Sequence, residues 1–219
     1  MNKLSATLAA AAVLASGVSA GAASLDYVGP KYGGYQTVNT NLANNVSAGE
    51  FHMRNLDTNE DVFAYCVDLF DDLYQGVAQY DVGSVGATVV NGLQGLFTNH
   101  YEQVTNRTTS AAFQLSVWEI LYEGETPVAY DLTNGAFRSR SGTNNNAWSI
   151  AQGWLGDLAY TRAAYRLSFW DGSTDDGRDD RVSQDLVSAE LAPVPVPASA
   201  LLILSGIGAF GALRRRSRT

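Results

Sequence analysis

A change of hydrophobic period along the chain is the feature that most limits its fold. Polar and apolar residues alternate over 50–55, which predicts a half-buried strand. A turn-forming stretch at 56–61 follows. The β-branched and aromatic residues of 62–67 then predict a second strand, buried on both faces. The two strands are expected to form a hairpin.

A helical pattern replaces this alternation further along the chain. Apolar residues recur three and four positions apart over 110–122, and Thr108, Thr109 or Ser110 is expected to cap the helix. Two further helices are predicted at 89–101 and 146–160, and two strands follow at 166–171 and 184–191. This order predicts an α+β fold, with a β-rich sandwich or barrel-like body and an inserted helical subdomain.

The first 23 residues have the composition of a secretion signal. Lys3 supplies the positive start, and an uncharged run rich in Ala, Leu and Val follows it. Small residues at 18–20 and 21–23 offer two cleavage sites. A short membrane anchor is the alternative interpretation. The mature body is predicted to span 24–192.

The C-terminal segment 193–219 combines a proline-spaced motif, an apolar helix at 198–213 and an arginine cluster at 214–218. A helix of that length reaches ~24 Å, somewhat less than the ~30 Å hydrocarbon core of a bilayer. The arginines favour the cytoplasmic side, which leaves the body outside. The residues concerned are Val194, Pro195, Val196, Pro197 and Ala198 in the motif, and Arg214, Arg215 and Arg216 in the cluster.

This tail resembles the PEP-CTERM sorting signals of Gram-negative bacteria. The similarity is to the Val-Pro-Leu-Pro-Ala (VPLPA) variant, with Val196 in place of leucine. The resemblance implies recognition by an exosortase-type sorting enzyme, a membrane helix, and delivery to the cell envelope or outer surface. Removal of the tail during sorting is left open, and an ordinary short membrane anchor is the alternative.

The charge of the chain argues against a nucleic-acid partner. The net charge is −8, with 14 basic and 22 acidic residues. Five of the basic residues lie in the two terminal segments, so nine remain in the body against all 22 acidic ones. The body therefore carries a net charge of −13 and lacks the basic patch that phosphate binding needs.

A single cysteine and one glutamine stand out within the predicted buried elements. Cys66 cannot form an internal disulfide, because the chain has no second cysteine. Gln114 lies on the apolar face of the predicted helix, where an unpaired amide is costly. An internal thioester between the two side chains would account for both residues. It would remove their demand for hydrogen bonds and store an acyl group for amines or hydroxyls.

The same two segments resemble the thioester domains of bacterial surface adhesins. The similarity is carried by Tyr65, Cys66 and Asp68 in the strand and by Gln114 and Trp118 in the helix. It implies Cys66 as thiol donor, Gln114 as acyl donor and Trp118 as packing support in a covalent adhesin or matrix protein. Phe113 and Ser116 differ from the threonine and alanine of that pattern. The target would be an amine- or hydroxyl-bearing surface group, or an exopolysaccharide.

Two other functional classes are compatible with the sequence. A non-covalent structural or carbohydrate-binding envelope protein would keep an inert buried cysteine, with Trp148, Trp154 and Trp170 as candidate sugar platforms. A hydrolase would use paired carboxylates, for which the candidates are Asp68, Asp71, Asp72, Glu119 and Glu123. No metal and no cofactor are expected: His52, His100 and Cys66 lack zinc-binding spacing, and the acidic turn 171–180 departs from the EF-hand template, which leaves only weak calcium binding open. The chain is not expected to be an enzyme.

Overall fold

The computed structural model describes residues 22–124, 129–139, 145–172 and 183–193. Residues 1–21 of the predicted signal segment 1–23 and residues 194–219 of the predicted sorting tail 193–219 lie outside the described residues, and both segments stay predictions. Among the helices that the structure describes, none has the length and apolarity needed to cross a bilayer.

Six antiparallel strands close into a barrel, and two short strands form a separate sheet beside it. The barrel order is β1-β4-β5-β8-β7-β6, with β6 closing onto β1. The barrel strands are β1 (Ala23–Pro30), β4 (Phe51–Asn55), β5 (Glu60–Cys66), β6 (Val77–Val82), β7 (Tyr165–Asp171) and β8 (Leu186–Leu191). The small sheet pairs β2 (Gln36–Val38) with β3 (Val46–Ala48). The body is therefore a barrel rather than a sandwich.

The predicted hairpin is confirmed as β4–β5, with Phe51 opposite Ala64 and Asn55 opposite Glu60. Burial alternates strictly along β4, as its sequence predicts. The second strand is buried on both faces only near its end, at 64–66, whereas Val62 and Phe63 are half-buried. That end is where β8 pairs with β5 and where the helices cover the sheet.

In the part of the chain that the structure describes, three α-helices are inserted between β6 and β7: α1 (Ala87–His100), α2 (Arg107–Glu123) and α3 (Asn145–Leu155). The prediction that Thr108, Thr109 or Ser110 caps α2 is wrong, because Asn106 is the cap. Its side chain accepts from the backbone N–H groups of Thr108 and Thr109, while the Thr109 hydroxyl accepts from the Asn106 backbone. The third helix ends five residues before its predicted limit of 160.

Helix α2 lies at the centre of the molecule. Every residue from Ser110 to Ile120 is buried, because β3 and β5 pack on one side of the helix and α1 and α3 on the others. Near its start, the Ser110 hydroxyl accepts from the backbone N–H of Glu50 at 2.7 Å. The buried Glu50 carboxylate pairs with Lys31 at 3.0 Å and accepts from the Tyr101 hydroxyl. These contacts fix the register of α2 against the barrel.

Candidate functional site

Cys66 and Gln114 are in direct contact between β5 and α2. The Gln114 side-chain oxygen Oε1 accepts from the Cys66 backbone N–H at 3.0 Å, and its Nε2 donates to the Cys66 carbonyl at 2.8 Å. Gln114 is fully buried and Cys66 is 4% exposed. The structure therefore brings together the two residues that the sequence singles out, in a site that excludes water.

The strand pairing explains why the Cys66 backbone is free to bind a side chain. Val67 N–H donates to Asp185 on the β8 side, so the backbone groups of Cys66 face the opposite side, toward β4. The β4 strand begins at Phe51, opposite Ala64, and supplies no residue opposite Cys66. Gly49 there has φ +153°, a conformation that favours glycine and turns the chain away. The Gln114 amide thus takes the place of a strand neighbour.

The Cys66 thiol is held in its protonated form. Burial raises the pKa of the thiol to about 12, and the negative charges of Asp68 and Asp185 act in the same direction. Hydrogen bonds made to the sulfur by the Trp118 side chain and by the Asp68 backbone oppose this rise, while Sγ itself donates to the Asp68 carbonyl. The Asp68 carboxylate accepts from Phe70 N–H at 2.8 Å and orders the turn that follows the strand.

The two predicted supporting aromatic residues lie on different sides of the site. Tyr65 packs against Phe113 with ring centroids 4.7 Å apart and faces the aromatic core shared with α1. Trp118 is 1% exposed and packs against Phe137. It lies one turn after Gln114 on α2, on the Cys66 side. Only Trp118 is therefore placed to act on the sulfur.

The two departures from the thioester-domain pattern have structural roles. Ser116 is fully buried, and its hydroxyl donates to the Ala112 carbonyl of the same helix at 3.0 Å, so the hydroxyl makes no demand on the surrounding core. Phe113 fills the space between Tyr65, Phe97 and Trp154. Neither substitution places a competing polar group against Cys66 or Gln114.

How the connection that follows Cys66 is held could not be predicted from the sequence. This connection, between β5 and β6, is fixed to α2 by one hydrogen bond, from Leu69 N–H to the Tyr122 hydroxyl at 2.9 Å. Phe70 packs edge-on against the Tyr122 ring but is 71% exposed. A tyrosine at the end of an apolar helix carries no sequence signal for such a contact.

Glu119 was considered as a hydrolase carboxylate, and the structure gives it a different role. It is fully buried, and its Oε1 accepts from Asp131 N–H at 2.7 Å, while Oε2 has no hydrogen-bond partner among the described residues. Burial raises the pKa of Glu119 to about 7, and the charges of Glu123 and Asp131 also raise it. Glu123 accepts from Phe137 N–H, so both carboxylates hold the segment 131–137.

The tryptophans proposed as sugar platforms are used inside the protein. Trp154 and Trp170 are each 8% exposed, and their indole N–H groups donate to Gln103 and Ser188. Trp154 also stacks on His100. Trp148 is half-buried and donates to the Ser139 carbonyl. A flat, open aromatic surface of the kind that stacks on sugars is not formed by these three residues.

Comparisons with known proteins were made on the whole chain. No protein-family model and no curated protein matches it. Among solved structures, it is similar to the thioester domain of the Enterococcus faecium TIE86 protein, at 12% sequence identity. The alignment covers 79% of this chain and 78% of that one, with a TM-score of 0.37. A likeness at that level assigns neither fold nor chemistry to this chain.

Proposed function

We propose that this chain is an exported, exosortase-sorted protein of the cell surface or extracellular matrix that attaches to its target through an internal Cys66–Gln114 thioester. The observation that carries the chemistry is the buried contact in which the Gln114 amide lies against Cys66. The terminal segments carry the proposal of export and membrane sorting. The proposal is of a single-use reaction and not of a turnover enzyme.

Bond formation would join the Cys66 sulfur to the Gln114 side chain, whose amide already contacts the Cys66 backbone. The sulfur attacks the Gln114 side-chain carbon, a C–S bond forms, the C–N bond breaks, and the thiol proton leaves with the nitrogen as ammonia. Negative charge develops on Oε1 during the attack, and the Cys66 N–H already donates to that atom at 3.0 Å. It would act as the oxyanion donor. Because burial raises the pKa of the thiol to about 12, loss of its proton would add to the barrier of this step.

Burial would preserve the product until a target arrives. A thioester exposed to water hydrolyses, and the Cys66 and Gln114 side chains are almost completely excluded from solvent. An amine that enters the site would attack the same carbonyl carbon, form an amide and release the Cys66 thiol. A hydroxyl would react in the same way and form an ester. The acyl group stays on Gln114, so the attachment is permanent and consumes the site.

Intact-mass analysis of the purified body tests the proposal. We expect the protein to be one ammonia lighter than its sequence, and Cys66→Ala to have the full mass of that variant. Methylamine should add to the lighter form and leave Cys66→Ala unchanged. Ser116→Ala is a matched control, because it alters a buried side chain of the same helix without touching either reacting group. Full sequence mass for the parent protein would contradict the proposal.

The thiol has to be titrated after denaturation. A buried thiol with a pKa of about 12 resists alkylation in the folded protein with or without a thioester, so protection in the native state decides nothing. Unfolding at mildly acidic pH in the presence of a maleimide separates the two cases. A thioester leaves Cys66 unlabelled, whereas a free thiol is labelled completely.

A second function is favoured by the same hydrogen bonds. The Gln114 amide satisfies both backbone groups of Cys66, and the thiol donates to the Asp68 carbonyl, so each odd residue also has a purely structural explanation. The protein would then be a non-covalent structural component of the envelope with an inert cysteine. The mass and labelling experiments distinguish this function from the first.

A further inference from the structure

The indole N–H of Trp118 is an unpaired donor in the centre of the molecule. Trp118 is 1% exposed, and its Nε1 makes no hydrogen bond of normal geometry among the described residues, although it interacts with the Cys66 sulfur. The three other tryptophans all donate to protein oxygens, namely those of Ser139, Gln103 and Ser188. A buried donor without an acceptor is costly and rare in folded proteins, so this one calls for a physical reason.

The position of Trp118 supplies the reason. It lies four residues after Gln114 on α2, so the two side chains project from the same face of the helix toward β5. The indole N–H faces the Cys66 sulfur and lowers the pKa of its thiol, against the larger effect of burial. The neutral thiol is a poor acceptor, and its own proton is donated to the Asp68 carbonyl.

We propose that the indole N–H of Trp118 is a hydrogen-bond donor reserved for the Cys66 sulfur while that sulfur carries negative charge. This inference rests on the proposed thioester. In the resting state the neutral thiol is only a weak acceptor for this donor, and it becomes a strong one as the sulfur turns anionic, so the interaction is stronger in the transition state than in the ground state. Trp118 then sets the reactivity of the bond in addition to packing beside it.

The same donor acts in both directions of the chemistry. During formation it stabilises the sulfur as the thiol proton is lost and the sulfur attacks the Gln114 carbon. During capture of a target, the C–S bond breaks and the leaving group is the Cys66 thiolate. The indole N–H stabilises that charge until the sulfur regains a proton from the attacking amine, which becomes an amide. Losing the donor should therefore slow both steps.

The test replaces Trp118 by 3-benzothienylalanine, which keeps the shape of the ring and substitutes sulfur for the N–H. The thioester form of the full chain is isolated, and the rate of methylamine addition is followed by intact mass. We expect aminolysis to slow by about 10- to 100-fold, the range that a hydrogen bond to a charged group supports. The thermal midpoint should not fall, because the replaced N–H made no hydrogen bond of normal geometry.

The sign of the rate change separates this role from packing alone. If Trp118 only shields the bond, any loosening of the site admits methylamine and accelerates its addition. Trp118→Phe removes the N–H and also shortens the side chain, so the ratio of its rate to that of the benzothienyl variant measures the acceleration that loosening causes. The same benzothienyl replacement at Trp154, whose N–H donates to Gln103, controls for effects of the analogue and should leave the rate unchanged.

Each result decides between the proposals. Slower aminolysis of the Trp118 analogue at unchanged stability supports the donor role. An unchanged or faster rate, in a protein that has lost ammonia normally, overturns the donor role and leaves the thioester intact. A parent protein with full sequence mass overturns the thioester and the role of Trp118 together.

Discussion

Removing the Gln114 side chain should destabilise the fold even when no thioester can form. In the Cys66→Ala background, the backbone N–H and carbonyl of residue 66 keep Gln114 as their partner. Gln114→Ala leaves both groups buried and unpaired, at ~1–3 kcal/mol each, so we expect a loss of about 2–6 kcal/mol in the free energy of unfolding. The background matters, because a covalent link between residues 48 apart would itself stabilise the fold by about 4 kcal/mol.

The measurement is urea unfolding of the single and double variants, with equal m-values as the condition for comparing them. Ser116→Ala in the same background is the matched control. Its hydroxyl is equally buried on α2, but the Ala112 carbonyl that it contacts remains within the helix, so we expect a cost below about 1 kcal/mol. Equal losses for the two substitutions would show that Gln114 does not complete the sheet, and the reasoning would be wrong.

Two further predictions concern the elements around the site. Burial raises the pKa of Glu119 from 4.5 to about 7, so the folded state loses stability as the pH rises through that interval. We therefore expect Glu119→Gln to be more stable than the parent at pH 8, by up to about 3 kcal/mol, and to lose this advantage at pH 4. Urea unfolding at both pH values checks this, and an equal gain at both would contradict it. Tyr122→Phe releases Leu69 N–H and should raise the rate of thioester hydrolysis about fivefold, measured by intact mass. The control is Tyr160→Phe, which removes a long hydrogen bond at the surface and should leave the hydrolysis rate unchanged. If Tyr122→Phe also left the rate unchanged, the contact of Tyr122 with Leu69 would have no role in protecting the thioester.

Local patterns in the sequence predicted much of the architecture. The alternation over 50–55 and the helical spacing over 110–122 each depend on neighbouring residues, and both elements were found near the expected bounds. The same patterns placed Cys66 and Gln114 on buried elements. Gln114 lies among apolar residues on α2, and Cys66 ends the buried part of β5, so a contact between the two could be anticipated.

The sequence could not predict what depends on distant partners. Closure of the barrel requires β1 to pair with β6 and β5 with β8, and no local pattern encodes either pairing. The contact of Gln114 with the Cys66 backbone depends on where β4 begins, which follows from the turn at Gly49. Asn106 was missed as the cap of α2 because three neighbouring hydroxyl residues offered the same chemistry, and only the geometry of the turn separates them.

The insertion of the helices between β6 and β7 has a mechanical consequence. After capture, the target would be joined to Gln114 in α2, and the predicted membrane anchor follows β8. Tension between the target and the anchor would therefore run through α3, β7 and β8 and bypass β1 to β6. That path enters β7 at Tyr165 and leaves β8 at Leu191, which are opposite each other in the ladder. A pulling force would therefore unzip this pair of strands from one end, one hydrogen bond after another. The force that such an attachment withstands would be set by the pairing of β7 with β8 and not by the covalent bond.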